Sequence, residues 1–203
     1  CRSVSLSGKG FRPQSGGLGR WDALRFQLRE MSQLRRRLLL SVAACFVWAA
    51  STATAHAQDR RISDLVDKYA SDTISLRQHL HRNPELGNRE FKTAELVAKH
   101  LVELGMEVRT GIAHTGVVGI LRGGRPGPVV AVRADMDALP VTEDTPLPFR
   151  STARTQYAGK EVGVMHACGH DIHTSVQMGV ASILAEMRSE LPGTVMFIFQ
   201  PAE

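Results

Sequence analysis

The stretch PVVAVRADMDALP, residues 128–140, decides the fold class that we predict for this chain. It opens with a nearly continuous apolar run, which is typical of a strand inside a sheet with both faces covered. Two carboxylates, Asp135 and Asp137, follow directly. Open α/β sheets bind ligands beyond the carboxyl ends of their strands, so this position suits a binding site. A solvated turn rich in aspartate explains the same pattern equally well.

A second stretch, MHACGHDIH at residues 165–173, concentrates side chains that bind metals. His166, Cys168, His170 and His173 lie within eight residues, and thiolate and imidazole are common ligands of zinc and related cations. Taken alone, each residue is more often structural, but their concentration favours a metal site. Cys168 is the one cysteine after residue 57, so it cannot form a disulfide within that part of the chain.

Apolar spacing predicts the elements around these two stretches. Helical spacing predicts helices at residues 62–81, 89–104 and 174–188. Apolar and β-branched runs predict strands at residues 106–109, 115–121, 129–133 and 194–199. A hairpin-like connection rich in glycine and proline joins the second strand to the third, and residues 141–160 form a surface loop. This order predicts a three-layer α/β/α fold with a mixed sheet.

The positive charge of the chain is concentrated in its first 57 residues. That segment holds 9 of the 25 Lys+Arg and 2 of the 20 Asp+Glu, which leaves 16 basic and 18 acidic residues downstream. The net charge of +5 therefore belongs to the N-terminal segment and not to the part that folds. We exclude nucleic-acid binding on this ground.

The N-terminal segment has the organisation of an export signal. Arg35 to Arg37 are positive, residues 38–50 are apolar but too few to span a membrane, and residues 55–57 form a small-x-small cleavage site. We expect a non-native extension at 1–30, a signal peptide at 31–57 and the folded part at 58–203. The protein would be periplasmic or secreted, with membrane contact only during export. Lipoprotein anchoring through Cys45 and an uncleaved anchor are the alternatives.

Five motifs occur in the order and approximate spacing of the M20 metallopeptidase family. They are HLHRNPELG (79–87), TGV (115–117), RADMDALP (133–140), HACGHDIH (166–173) and FQPAE (199–203). The chain resembles in particular the amidohydrolase branch of hippurate, N-acyl-amino-acid and auxin-conjugate hydrolases. The resemblance covers about residues 62–203. It implies the N-terminal part of a catalytic domain of the zinc-exopeptidase type, truncated and without the lid or dimerisation domain.

The resemblance also implies roles for single residues. Cys168 and His170 match metal ligands, and Glu203 matches the general base that activates a metal-bridging water. Asp137 matches a supporting carboxylate of the catalytic site. Asp135 stands where related branches carry a metal-binding histidine, and Cys168 would supply that ligand here.

The resemblance further implies two divalent metal ions, which can be zinc, manganese, cobalt or nickel. Further ligands follow downstream of Glu203 in the family, so we expect residues 1–203 to be a fragment that is inactive alone. His166 and His173 match no family role, and we interpret them as structural or supporting residues.

The implied activity is hydrolysis of the amide bond of an N-acyl amino acid or small peptide by metal-activated water, in a homodimer when full length. An M20-type carboxypeptidase or dipeptidase is the first alternative, which the Cys-Gly-His block disfavours. A non-catalytic exported metal-binding protein is the second. A thiol redox protein is disfavoured because Cys168 lacks a resolving cysteine.

Overall fold

The computed structural model describes residues 60–203 continuously and, upstream, residues 25, 29–31 and 35–36, which are helical and exposed. By its contacts the chain divides into two units, Cys1–Ala57 and Gln58–Glu203. The expected extension, the signal peptide and anchoring through Cys45 fall largely outside the described residues and stay predictions. Within the described part of the chain, no helix has the length and apolarity needed to cross a membrane.

Three α-helices, one short 3-10 helix (Arg188–Glu190) and six strands form the described part of the second unit. Helix α1 is described from residue 60 to residue 82. The other helices are α2 (Phe91–Glu103) and α3 (His170–Glu186). The strands are β1 (Glu107–Ile112), β2 (Gly116–Arg122), β3 (Arg125–Asp135), β4 (Arg154–Tyr157), β5 (Lys160–Gly163) and β6 (Pro192–Gln200).

The main sheet is mixed and has the strand order β1-β2-β6-β3. β2 pairs antiparallel with both β1 and β6, whereas β3 and β6 run parallel. Parallel partners end at the same edge of a sheet, and Asp135 at the end of β3 lies in register with Gln200 at the end of β6. The predicted α/β class with mixed strand directions is confirmed. The predicted hairpin between β2 and β3 is wrong, because β6 lies between them.

The core lies between this sheet and the helices on one of its faces. α2 contacts β1 and β2, α3 contacts β3 and β6, and the two helices contact each other. Phe197 and Phe199 of β6 pack there with Leu101 of α2 and Met178 of α3. Of the three layers predicted, residues 60–203 therefore supply the sheet and the helices on one face.

Strand β3 differs from its prediction as a strand covered on both faces. It is an edge strand of the described sheet, and its residues Val129 and Val130 are 67% and 51% exposed. Its last residues, Ala134 and Asp135, are 3% exposed. The strand is therefore buried only where it approaches the ends of β6 and α3.

Two local features between β3 and β6 also differ from the predictions. Helix α3 begins at His170 and not at 174, with Gly169 in the left-handed region (φ 85°) as the preceding residue, where glycine has no steric penalty. The predicted loop at 141–160 contains β4 and leads into β5, and these strands form a hairpin whose turn places Ala158 and Gly159 at positive φ. The hairpin escaped prediction because its strands are short, polar and largely exposed.

Replacing Phe197 with alanine should lower the free energy of unfolding by about 3–5 kcal/mol, because it leaves a cavity between β6 and the helices. Urea denaturation followed by circular dichroism measures this. Val129→Ala, on the exposed part of β3, is the matched control and should change stability by less than about 0.5 kcal/mol. Equal losses in both variants would contradict the core described above.

Candidate metal centre

The candidate site lies where the end of β3 meets the start of α3. Asp135 comes from the strand, and His170 and His173 come from the first turn of the helix. Each offers one ligand atom, and these atoms lie within 4.8 Å of one another. Asp135 and His170 are buried, whereas His173 is exposed. A carboxylate oxygen with two imidazole nitrogens is a donor set that suits zinc and related divalent cations, so the residues fit a metal.

The contacts of His170 Nδ1 turn its Nε2 atom toward the carboxylates of the site. Its Nδ1 atom lies 2.9 Å from the backbone oxygen of Asp137 and 3.2 Å from the Oδ1 atom of Asp137. Since a carbonyl oxygen only accepts, Nδ1 carries the proton and donates. Nε2 then points toward Asp135 Oδ1, at 3.6 Å. Metal-binding histidines are commonly oriented in this way through their second nitrogen.

Asp135 is held as an ionised carboxylate. Its Oδ1 atom accepts a hydrogen bond from Nδ1 of His173 at 2.7 Å, and Oδ2 lies 3.4 Å from the guanidinium of Arg133. Burial raises the pKa of Asp135, but the hydrogen bond from His173 and the charge of His170 lower it, and the net pKa is below the ordinary value. An ionised carboxylate is the form that binds a metal.

Glu203 completes the side of the site that faces solvent. Its Oε2 atom lies 3.2 Å from Nε2 of His170, and its Oε1 atom lies 3.0 Å from Arg133. The backbone N–H of Glu203 donates to Asp137 Oδ1 at 3.2 Å. The side chain of Glu203 is 48% exposed. A carboxylate placed beside a ligand nitrogen and open to solvent can accept a proton from water at the site.

The structure brings together three of the four residues assigned to the site from sequence, namely Asp137, His170 and Glu203. Cys168 is exposed and lies outside the group of three ligand atoms. Its assignment as a metal ligand stays a prediction, as do the catalytic roles of Asp137 and Glu203.

Sequence reasoning missed the part that His173 plays in this group. Residues three apart lie on the same side of a helix, so His170 and His173 share a face once α3 begins at His170. Because the predicted helix began at residue 174, it did not include His170 and His173, and their common face was not recognised. Asp135 was noted as a strand-end carboxylate but was not assigned as a ligand.

His166 lies behind the site in a buried position. It is 5% exposed, and neither ring nitrogen has a hydrogen-bond partner. Burial lowers the pKa of His166 from 6.5 to about 4, although the charge of Asp171 acts in the opposite direction. The ring is therefore neutral near pH 7.

Comparisons with known proteins agree with this geometry. Residues 131–203 match the family model described as peptidase family M20/M25/M40. The chain is 45% identical over 148 residues to thermostable carboxypeptidase 1 of Saccharolobus solfataricus, with 69% of this chain and 36% of the relative covered. It is 44% identical over 142 residues to the N-acyl-L-amino acid amidohydrolase of Geobacillus stearothermophilus, with 70% and 36% covered.

A solved structure agrees as well. The Bacillus subtilis YXEP protein, described as a dinuclear metal binding peptidase from the M20 family, matches with a TM-score of 0.60 and 43% identity. That match covers 68% of this chain and 36% of YXEP. The chain thus spans about a third of the length of the relatives that it matches. It belongs to the M20 peptidase family.

We expect His170→Ala to weaken Zn²⁺ binding at least tenfold, because it removes the central nitrogen ligand of the group. Competition with a chromophoric chelator measures the dissociation constant. His79→Ala is the matched control, because His79 is an exposed histidine of α1 outside the group. Equal affinities in the His170→Ala and His79→Ala variants would contradict the site.

Buried His166 should make the metal-free protein sensitive to acid. Its pKa in the folded protein, about 4, is below its ordinary value of 6.5, so the unfolded chain binds the proton first as pH falls. As far as His166 is concerned, the free energy of unfolding is highest above pH 6.5. It falls by about 3 kcal/mol as pH drops toward 4.

Urea denaturation at pH 7 and pH 4.5, with EDTA present, tests this. His166→Leu should lose less stability over that range than the parent protein, whereas His79→Leu should lose as much as the parent. If the His166→Leu variant and the parent lose the same amount, His166 does not titrate with a lowered pKa.

Proposed function

We propose that the protein is a metal-dependent amidohydrolase that cleaves the amide bond of N-acyl amino acids or small peptides. One observation carries the proposal: Asp135, His170, His173 and Glu203 converge at one edge of the sheet, with two imidazoles, a buried carboxylate and a solvent-facing carboxylate. Hydrolysis of an unactivated amide requires an activated water, a proton acceptor and a group that stabilises the oxyanion, and such a site supplies them.

Asp135, His170 and His173 would hold divalent metal, with Cys168 as a further ligand. Two ions of zinc, manganese, cobalt or nickel are proposed on the basis of the family. Divalent metal bound there supplies Lewis acidity, which lowers the pKa of a water and polarises a carbonyl. The name of the YXEP protein as a dinuclear metal binding peptidase supports the proposed number of ions.

The residues of this chain would divide the remaining work. Glu203, beside His170, would accept the proton of the attacking water and donate it to the leaving amine. Arg133 holds one oxygen of Glu203 at 3.0 Å and so leaves the other directed toward His170. Asp137 would orient His170 through its contacts with Nδ1 and would fix the backbone of Glu203.

The substrate class rests on the relatives. The Geobacillus stearothermophilus relative is named an N-acyl-L-amino acid amidohydrolase, and one of Bacillus subtilis is named an N-acetyl-L-cysteine deacetylase. Carboxypeptidase activity is the second candidate, because the Saccharolobus solfataricus relative carries that name at similar identity. Export through the leader at 31–57 and a homodimeric whole protein belong to the same proposal and rest on the leader composition and the family resemblance.

Glu203→Gln in the full-length protein should retain metal and lower kcat at least a hundredfold, because the amide cannot accept a proton. The assay follows amine release from N-acetyl amino acids, N-benzoyl amino acids and dipeptides, and metal content is measured by mass spectrometry. Faster turnover of the N-acyl substrates than of the dipeptides would favour the amidohydrolase over the carboxypeptidase.

Glu161→Gln is the matched control, because Glu161 is an exposed glutamate on β5 that pairs with Arg154. It should leave kcat and metal content unchanged. Unchanged turnover in Glu203→Gln would exclude Glu203 as the base. In the same experiment, Cys168→Ala should reduce metal content, and a full metal complement in that variant would remove the thiol from the ligand set.

A further inference from the structure

A network of charged side chains, here called the charge network, lies behind the first turn of α3, outside the metal group. Arg77 and His81 come from α1, Asp171 comes from α3, and Glu143 comes from the segment after β3. Arg77 Nε lies 2.8 Å from Asp171 Oδ2, and His81 Nδ1 lies 2.8 Å from the same oxygen. His81 Nε2 lies 3.1 Å from Glu143 Oε1. The charge network thus connects Arg77 to Glu143 through consecutive side-chain contacts.

Three side chains of the charge network are buried. The side chains of His81, Asp171 and Glu143 are 4%, 1% and 0% exposed, and Arg77 is 28% exposed. Buried charged groups are tolerated only when they are paired and hydrogen-bonded. Thr145 and the backbone N–H of Ser151 also donate to Glu143. These contacts engage Oδ2 of Asp171 and both oxygens of Glu143, whereas Oδ1 of Asp171 has no hydrogen-bond partner.

The four groups place two basic side chains against two buried carboxylates. Both ring nitrogens of His81 lie within hydrogen-bond distance of carboxylate oxygens, one on Asp171 and one on Glu143. Burial raises the pKa of Glu143, but the hydrogen bonds from Thr145, Ser151 and His81 lower it to a net value below the ordinary one. Arg77 and His81 both contact Asp171, and His81 also contacts Glu143. Removal of Arg77 or His81 takes a hydrogen-bonding partner from the buried Asp171 carboxylate.

Asp171 connects the charge network to the metal group through the backbone of α3. It lies between His170 and His173 in the first helical turn. Gly169, the residue before the helix, supplies no side-chain cap, so this turn depends on other contacts. Thr174 donates to the backbone oxygen of Asp135 on one side, and Asp171 is held by α1 on the other.

We propose that Arg77 and His81 are positioning residues of the candidate metal centre, because they clamp Asp171 and thereby fix the first turn of α3 that carries His170 and His173. This inference rests on the proposed metal site and assigns it a support in α1. Partners that orient metal ligands typically change affinity by about ten- to a hundredfold when they are removed.

The same two helices provide a matched contact far from the site. Lys68 of α1 donates to Glu186 at the other end of α3, at 2.7 Å, and this pair is exposed. Glu186 lies 15 residues beyond Asp171 in α3, which corresponds to about 22 Å along the helix. Lys68→Met removes a cation that joins α1 to α3, as Arg77→Met does, but without a connection to the metal group.

The test uses Co²⁺ binding to the full-length protein and its Arg77→Met, Arg77→Lys, Glu143→Gln and Lys68→Met variants. Dissociation constants, visible Co²⁺ absorption spectra and Tm are measured for each. Arg77→Met and Glu143→Gln should weaken Co²⁺ binding at least tenfold and change the spectrum, because the ligand geometry relaxes. Arg77→Lys should restore most of the affinity. Lys68→Met should leave affinity and spectrum as in the parent protein.

A lower Tm alone does not support a role of Arg77 and His81 in positioning the candidate metal ligands. If Arg77→Met and Glu143→Gln have a lower Tm but bind Co²⁺ with the parent's affinity and spectrum, the inference is overturned while the metal site stands. If the parent itself binds no Co²⁺, the proposed metal site and the inference both fail. If Arg77→Met does not fold, Arg77→Lys and Glu143→Gln decide the question by the same two measurements.

Discussion

The parallel pairing of β3 with β6 is the constraint on which the rest of the site depends. It places Asp135 beside Gln200, so two segments that are far apart in sequence end at one edge of the sheet. The pairing is stabilised by Phe197 and Phe199, which are at most 1% exposed beneath the helices. Since Asp137 and Glu203 lie within three residues of these strand ends, a change in register would separate the two carboxylates.

Helix α3 connects the two strands and brings the two candidate histidine ligands to the same edge. In a strand–helix–strand unit the helix runs back along the sheet, so its N-terminus lies near the carboxyl end of the first strand. His170 and His173 meet Asp135 there. Gly169 allows the chain to enter the helix at positive φ, so that the first turn begins at the candidate ligand His170. The site therefore depends on where α3 starts as much as on which residues it contains.

The sequence predicted the helices and strands that are marked by a local pattern of apolar residues. Apolar runs located β2 and β6, and helical spacing located α2, because each element buries a continuous apolar surface. The order of the strands was not predictable in this way, since the long connection that inserts β6 between β2 and β3 leaves no local signal. His173 was missed for a related reason: the turn from His170 to His173 has a single apolar residue, Ile172, so apolar periodicity does not mark where the helix begins.

The site combines a buried half with an exposed half, and each half suits a different task. Asp135 and His170 are at most 4% exposed, and in such surroundings hydrogen bonds fix the orientation of ligands because water does not compete for them. The side chains of His173 and Glu203 are 55% and 48% exposed, so a water or a substrate can reach them. The charged groups behind α3 extend the buried half away from solvent, where His81 and Asp171 contact each other directly. The proposed chemistry needs both halves, because a general base such as Glu203 would have to meet water while the candidate ligands beside it stay in place.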